Sequence, residues 1–126
     1  MKRRVVVIEN DDAIRVLLMS ALEDEGYEPE GAATAGGGVC ALLRRPAEAV
    51  VIDPFMLGVD PEQLLDDIEQ RFEVPVLILS AVPSLRSLAG SGLRAWLGKP
   101  FDLEELVDAV RQVAAETTAL QRAIAS

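Results

Sequence analysis

The sequence contains no histidine, a single cysteine, Cys40, and two lysines, Lys2 and Lys99. Without histidine, the common zinc ligand sets and imidazole acid–base chemistry are excluded. A lone cysteine permits neither an intramolecular disulfide nor a cysteine cluster, and Cys40 reads as a small buried hydrophobe. Long hydrophobic runs are also missing. None approaches the roughly 20 apolar residues of a membrane span. The basic start Lys2, Arg3, Arg4 leads only into Val5 to Ile8 before Glu9, too short a stretch for a signal peptide. A soluble, cytoplasmic protein with no membrane contact is expected. Positive charge is scarce: 12 Lys and Arg face 21 Asp and Glu, a net charge of -9. That balance opposes binding to phosphate backbones, so no direct contact with nucleic acid is expected. What remains is 126 residues with 50% hydrophobic content, enough for one domain with a buried core and too apolar for a disordered segment.

Short apolar runs alternate with segments of helical period, the pattern of a parallel sheet covered by helices. The runs are Val5 to Ile8, Tyr27 to Gly31, Ala49 to Ile52, Val74 to Leu79 and Arg94 to Leu97. In the first helix Ile14, Leu17, Leu18, Ala21 and Leu22 are expected to face inward, with Gly26 ending it in a left-handed conformation. A second helix over about Thr34 to Arg45 is weakened by Gly36, Gly37 and Gly38, each costing about 1 kcal/mol relative to alanine. These glycines lack the strand, helix start and acidic partner of a dinucleotide fingerprint and read as a flexible turn. Asp60 and Pro61 open a third helix that carries Leu64, Leu65, Ile68 and Phe72 inward. Asp102 and Glu105 form a capping pair ahead of a last helix whose stripe is Leu103, Leu106, Val107, Val110, Val113 and Ala114. The order is (βα)5, an α/β fold with helices on both faces of the sheet.

In an open parallel sheet, ligands sit beyond the carboxyl ends of the strands, where the winding reverses. The first strand ends in Glu9, Asn10, Asp11 and Asp12, the third in Asp53 and the fourth in Ser80; Lys99 and Pro100 follow the fifth. Clustered carboxylates raise one another's pKa unless a hard cation such as Mg2+ lies between them on oxygen ligands. A carboxylate held there can attack a phosphoryl group in line, while a hydroxyl and an ammonium share the charge on the transferred oxygens. Asp53, Ser80 and Lys99 supply that set. Taken singly, Asp11, Asp12 and Asp60 also read as helix caps, Asp53 before Pro54 as a turn former, Lys99 as a surface lysine and Trp96 as packing.

From Arg4 to about Ala115 the chain resembles the response-regulator receiver family. The resemblance rests on an apolar strand running into acidic residues with Arg15 downstream, on Asp53 followed by Gly58 and Asp60, on Ser80-Ala81, and on Lys99-Pro100-Phe101. It implies a flavodoxin-like three-layer sandwich with a five-stranded parallel sheet in the order 2-1-3-4-5. It further implies Asp53 as phosphoacceptor and Ser80, Ala81 and Lys99 as phosphoryl-contacting residues, with Trp96 the aromatic that changes rotamer. Mg2+ would be held by Glu9, Asn10, Asp53 and the backbone carbonyl of Phe55, with Asp11 as a further candidate. The implied partners are a histidine kinase or phosphotransfer protein upstream and, downstream, a protein or output domain met by the face of the fourth helix, fifth strand and fifth helix. Such a domain is no enzyme beyond self-catalysed phosphoryl transfer and dephosphorylation at Asp53.

Three positions depart from the family pattern. Asn10 stands in place of the principal metal-binding aspartate, which removes a negative charge and weakens the expected Mg2+ affinity. Pro54, directly after Asp53, has no backbone N–H to offer a phosphoryl group. Leu57 stands where the family usually has proline, and the stretch from Ser80 to Lys99 is about three residues short, leaving room for a shortened, two-turn fourth helix between Pro83 and Gly90. A degenerate receiver that acts as a constitutive interaction module therefore stands beside the phosphorylation switch. A haloacid-dehalogenase-type phosphatase would need Asp-x-Asp after the first strand, which Glu9, Asn10 and Asp11 do not supply. The receiver domain is expected over residues 1–120, with 121–126 as a helix extension or linker stub. Leu120 and Ile124 extend the helical period there and suggest a homodimer contact or a link to an output domain.

Overall fold

In the computed structural model residues 3–56, 58–81 and 94–125 are described, with side chains as far as Ala115. The elements run β1 (Arg3–Ile8), α1 (Asp12–Asp24), β2 (Tyr27–Ala32), α2 (Ala35–Arg44), β3 (Ala49–Ile52), α3 (Pro61–Phe72), β4 (Val76–Ser80), β5 (Arg94–Gly98) and α4 (Leu103–Ala125). The strands form one parallel sheet in the order β2-β1-β3-β4-β5. This is the expected flavodoxin-like order. The expected helix between Pro83 and Gly90, and Leu57, lie outside the described residues. Among the described residues no helix is long and apolar enough to cross a membrane.

Because successive strand residues point to opposite faces, each central strand divides its side chains between two cores. Val5 and Val7 of β1, Val51 of β3, and Leu77 and Leu79 of β4 meet Leu18 and Leu22 of α1 and Leu106 and Val110 of α4. On the opposite face Val6 and Ile8, Val50 and Ile52, and Val76 and Ile78 meet Leu42 of α2 and Leu64, Leu65 and Ile68 of α3. Each such side chain stabilises the fold by about 2 kcal/mol relative to exposure, and no face of β1, β3 or β4 is left to water.

The helix starts follow their capping residues. Asp11 accepts from Ile14 N at 3.0 Å, Thr34 from Gly37 N at 3.0 Å and Asp60 from Glu62 N at 3.0 Å. Asp102 and Glu105 exchange bonds as expected, Glu105 N donating to Asp102 Oδ1 at 2.8 Å and Asp102 N to Glu105 Oε1 at 3.3 Å. Gly26, with φ of 91°, follows α1.

Several side chains and one segment differ from expectation. Leu17 and Leu103 are exposed: in α1 the buried stripe is Leu18, Ala21 and Leu22, and Leu17 falls beside it, on the rim of a groove that Leu103 also lines. Cys40 is exposed rather than buried, because α2 turns Gly38, Ala41 and Leu42 to the sheet. Gly36, Gly37 and Gly38 do not form a turn but the first turn of α2. A Cβ on Gly38 would lie 2.2 Å from Ile8 Cδ1, so the missing side chain lets the helix sit against β1.

Candidate functional site

The sheet's winding reverses between β1 and β3, and the side chains expected to carry chemistry gather beyond the carboxyl ends of these strands and β5. Glu9 N donates to Ala32 O at 3.0 Å and Asp53 N to Ile8 O at 3.1 Å, which extends the ladder and fixes both residues at the same level. Lys99 N donates to Ser80 O at 3.0 Å and ties the segment after β5 to the end of β4. The Lys99 ammonium then reaches across the sheet to Asp53 Oδ2 at 2.8 Å and Glu9 Oε1 at 3.2 Å.

This one cation between two carboxylates sets the electrostatics of the crevice. Burial pushes the Glu9 carboxyl above its ordinary range and outweighs the attraction of Lys99, with Asp53 and Asp11 adding to the rise. Burial alone would lower the Lys99 pKa, but the hydrogen bond and charge of Asp53, followed by those of Glu9, leave it raised. Lys99 therefore stays an ammonium. Glu9 Oε2 is buried and has no hydrogen-bond partner among the described residues.

The remaining expected residues divide. Ser80 is buried at the end of β4, and Ala81 lines an apolar groove with Ile14, Leu17, Lys99, Pro100 and Phe101. Asn10 and Asp11 are both exposed, and Asp11 is engaged as the cap of α1. Phe55 turns its side chain to water while its N–H donates to Asp53 Oδ1 at 2.9 Å. Met56 N donates to Pro54 O at 3.0 Å. Of the three positions after Asp53, Pro54 thus has no donor and the next two have theirs occupied. Gly58, with φ of 77°, completes the turn toward Asp60. Trp96 packs against the core on the α2–α3 face of the sheet. No group of three His, Cys, Asp or Glu that could hold a metal occurs among the described residues.

Sequence reading noted Arg15 only as part of a motif. Its guanidinium donates to the backbone carbonyl of Glu9 at 2.7 Å and to Asp12 Oδ1 at 2.5 Å, bracing the turn from β1 into α1. Gly31 on β2 makes room for it: a Cβ there would lie 3.1 Å from Arg15 Cδ and 2.5 Å from Met19 Sδ. The spacing of Arg15 from Glu9 was visible in the sequence, but the neighbour on β2 was not.

Comparison with known proteins bears on the fold and the family. An NtrX-like response regulator from Rickettsia felis is 29% identical over 124 residues, covering 94% of this chain and 26% of the relative. The transcriptional regulatory protein TcrA of Mycobacterium tuberculosis is 32% identical over 112 residues, covering 86% of this chain and 44% of the relative. The chain thus spans about a quarter of the NtrX-like relative and under half of TcrA. The crystal structure of a CheY-like receiver domain protein from Methanospirillum hungatei superposes with a TM-score of 0.83 at 22% identity, covering 94% of this chain and 98% of that one, and shares the fold. The family model for the response regulator receiver domain matches residues 5–111. The chain belongs to the response regulator receiver domain family.

Proposed function

We propose that Asp53 accepts a phosphoryl group from a histidine kinase or phosphotransfer protein in the cytoplasm, and that the chain relays this event to a downstream protein or output domain. Receiver domains are signalling domains whose general role is a phosphorylation-dependent switch, and they generally take Mg2+ at the phosphorylation site. The observation that carries the reading is the Lys99 ammonium held between Asp53 and Glu9. It positions a carboxylate nucleophile beside a fixed positive charge at a strand end, where one of the transferred oxygens would come to lie.

In the reaction an Asp53 oxygen forms a bond to phosphorus, the phosphorus–nitrogen bond of the donor phosphohistidine breaks, and the departing imidazole takes up a proton. Lys99 turns from Asp53 toward the new phosphoryl oxygens, and Ser80 supplies a hydroxyl to another. The residues fit Mg2+. Glu9 Oε2 is a buried acceptor in want of a cation, and Mg2+ needs only one or two carboxylates when phosphate oxygens complete its shell. Glu9, Asp53, the Phe55 carbonyl and the amide oxygen of Asn10 would hold it, and the bound ion would offset charge on the transferred oxygens. Asp11, spent on its cap, is the least suited of the expected ligands.

The test is an amide NMR titration with Mg2+ and then beryllofluoride, a phosphoryl mimic, with Asp53→Asn as control. The expected outcome is shifts at Asp53, Ser80 and Lys99 that spread to Trp96 and vanish in the control. A flat spectrum at saturating metal and mimic overturns the proposal. It would leave a constitutive interaction module, the reading that Pro54 and the neutral amide of Asn10 favour.

A further inference from the structure

Gly98 lies two residues beyond Trp96 on the same face of β5, immediately before Lys99. If Gly98 carried a Cβ, that atom would lie 2.5 Å from Cη2, 3.1 Å from Cζ2 and 3.2 Å from Cζ3 of Trp96, and these indole atoms are its nearest neighbours. The indole therefore lies along the strand, over Gly98, in space that any other residue would fill. Across the β4–β5 ladder, Ile78 is opposite Trp96 and Ser80 opposite Gly98. Ser80 shares its sheet face with Ile78, which packs in the same core as Trp96. The tip of the indole is thus placed toward the residue pair that ends both strands, one position before the lysine of the crevice.

We propose that Gly98 is the seat of Trp96, a positioning residue whose missing side chain holds the indole flat on β5 beside Ser80. The position of the ring is thereby coupled to what occupies the crevice. The seat itself rests on geometry alone, whereas the coupling rests on the phosphorylation reading above. Gly98 is not among the described residues with positive φ, so alanine fits the strand. The conflict is with the far end of a side chain that can swing, so the ring yields and the strand stays.

Trp96 is the only tryptophan in the chain, so intrinsic fluorescence reports it alone. In the full chain without metal or mimic, Gly98→Ala is expected to shift the emission to longer wavelength and raise acrylamide quenching. The melting temperature should fall when Gly98→Ala is made in the native background and barely change when it is made on Trp96→Ala, because the clash has then been removed. Emission and quenching unchanged from the native protein, or an equal fall in melting temperature in both backgrounds, overturns the seat. In the native protein, Mg2+ with beryllofluoride should change the emission. In Gly98→Ala that change should be lost while amide shifts at Asp53 persist. A seat that passes the metal-free tests beside a native protein blind to the mimic at both Asp53 and Trp96 would sink the phosphorylation reading. A response to the mimic that survives in Gly98→Ala would sink the coupling.

Discussion

Two clusters bracket β5, each bringing together one cation and two carboxylates among the described residues. At its first residue Arg94 donates from Nε to Glu69 Oε1 at 2.6 Å and from Nη2 to Asp66 Oδ1 at 2.5 Å, joining the strand to α3. Just beyond its last, Lys99 joins Asp53 and Glu9. The two differ in which partner is buried. The Arg94 side chain is 4% exposed and Asp66 is 49% exposed, whereas Lys99 is 18% exposed and Glu9 only 2%. In the first cluster the carboxylates reach water and need nothing further. In the second Glu9 has left water and Asp53 is partly buried, one Glu9 oxygen has no hydrogen-bond partner among the described residues, and the cluster is short of positive charge. A closed ion cluster fastens two elements, while an open one is a candidate site.

The sharpest way to break this comparison is to remove each cation in turn. Lys99→Met should cost about 3 kcal/mol, because the buried Glu9 and the partly buried Asp53 lose their counter-ion, and Mg2+ should recover part of that loss. Arg94→Met should cost about 1 kcal/mol, since Asp66 and Glu69 can turn to solvent, and Mg2+ should recover none. Urea unfolding with and without Mg2+ measures both. Equal losses, or equal relief by the metal, would erase the distinction. Between these two in size, Arg15→Ala should remove about 2 kcal/mol with its charge-assisted bonds to the Glu9 carbonyl and Asp12. Amide exchange should accelerate in the turn from Asn10 to Ile14, whereas an unchanged exchange rate there would show that the turn holds itself.

The smallest effect is a pH slope at a third assembly, where buried Arg4 of β1 binds Glu30, with Arg44 on the same carboxylate. The hydrogen bond from Arg4, with Arg44 adding, holds the Glu30 carboxyl below its ordinary value of 4.5. The folded chain therefore keeps Glu30 ionised at pH values where the unfolded chain has begun to protonate it. The resulting stability is complete above pH 4.5 and declines as pH falls through the folded-state value. Glu30→Gln should flatten that part of the acid unfolding curve, and an unaltered slope would place the acid sensitivity elsewhere. Glu9 has the opposite sign, its carboxyl being raised by burial.

The alternation of strands and helices, the caps at Asp60 and Asp102, and the meeting of Glu9, Asp53 and Lys99 were legible because they follow from period and strand ends, which are local signals, whereas the sheet order came from the resemblance to the receiver family. Arg4 and Arg94 were not legible. Arg4 read as part of a basic start, yet it is buried because Glu30 and the carbonyls of Ala41 and Arg45, all distant in sequence, satisfy it. Leu17 and Leu103 were misplaced because helical period gives a stripe but not its width, and Cys40 because residue type alone does not say which face of α2 it takes. Asn10 and Pro54 were recognised as departures. That Phe55 and Met56 also have their N–H groups occupied needed the folded turn. The role of Gly98 had no sequence signal, since a glycine does not announce which side chain will use its space.

The glycine-built first turn of α2 has a consequence for how the molecule comes apart. It has the lowest intrinsic helicity of the first turns of the described helices, and beyond the Thr34 cap it keeps its place through the fit of Gly38 on Ile8. Local opening with a low free energy should begin there. Its first effect would fall on the neighbouring end of β2, where Ala32 holds Glu9. The crevice would then loosen from its acidic wall while β3, β4 and Asp53 remain in register, so a weakly held part of the described structure borders the candidate site.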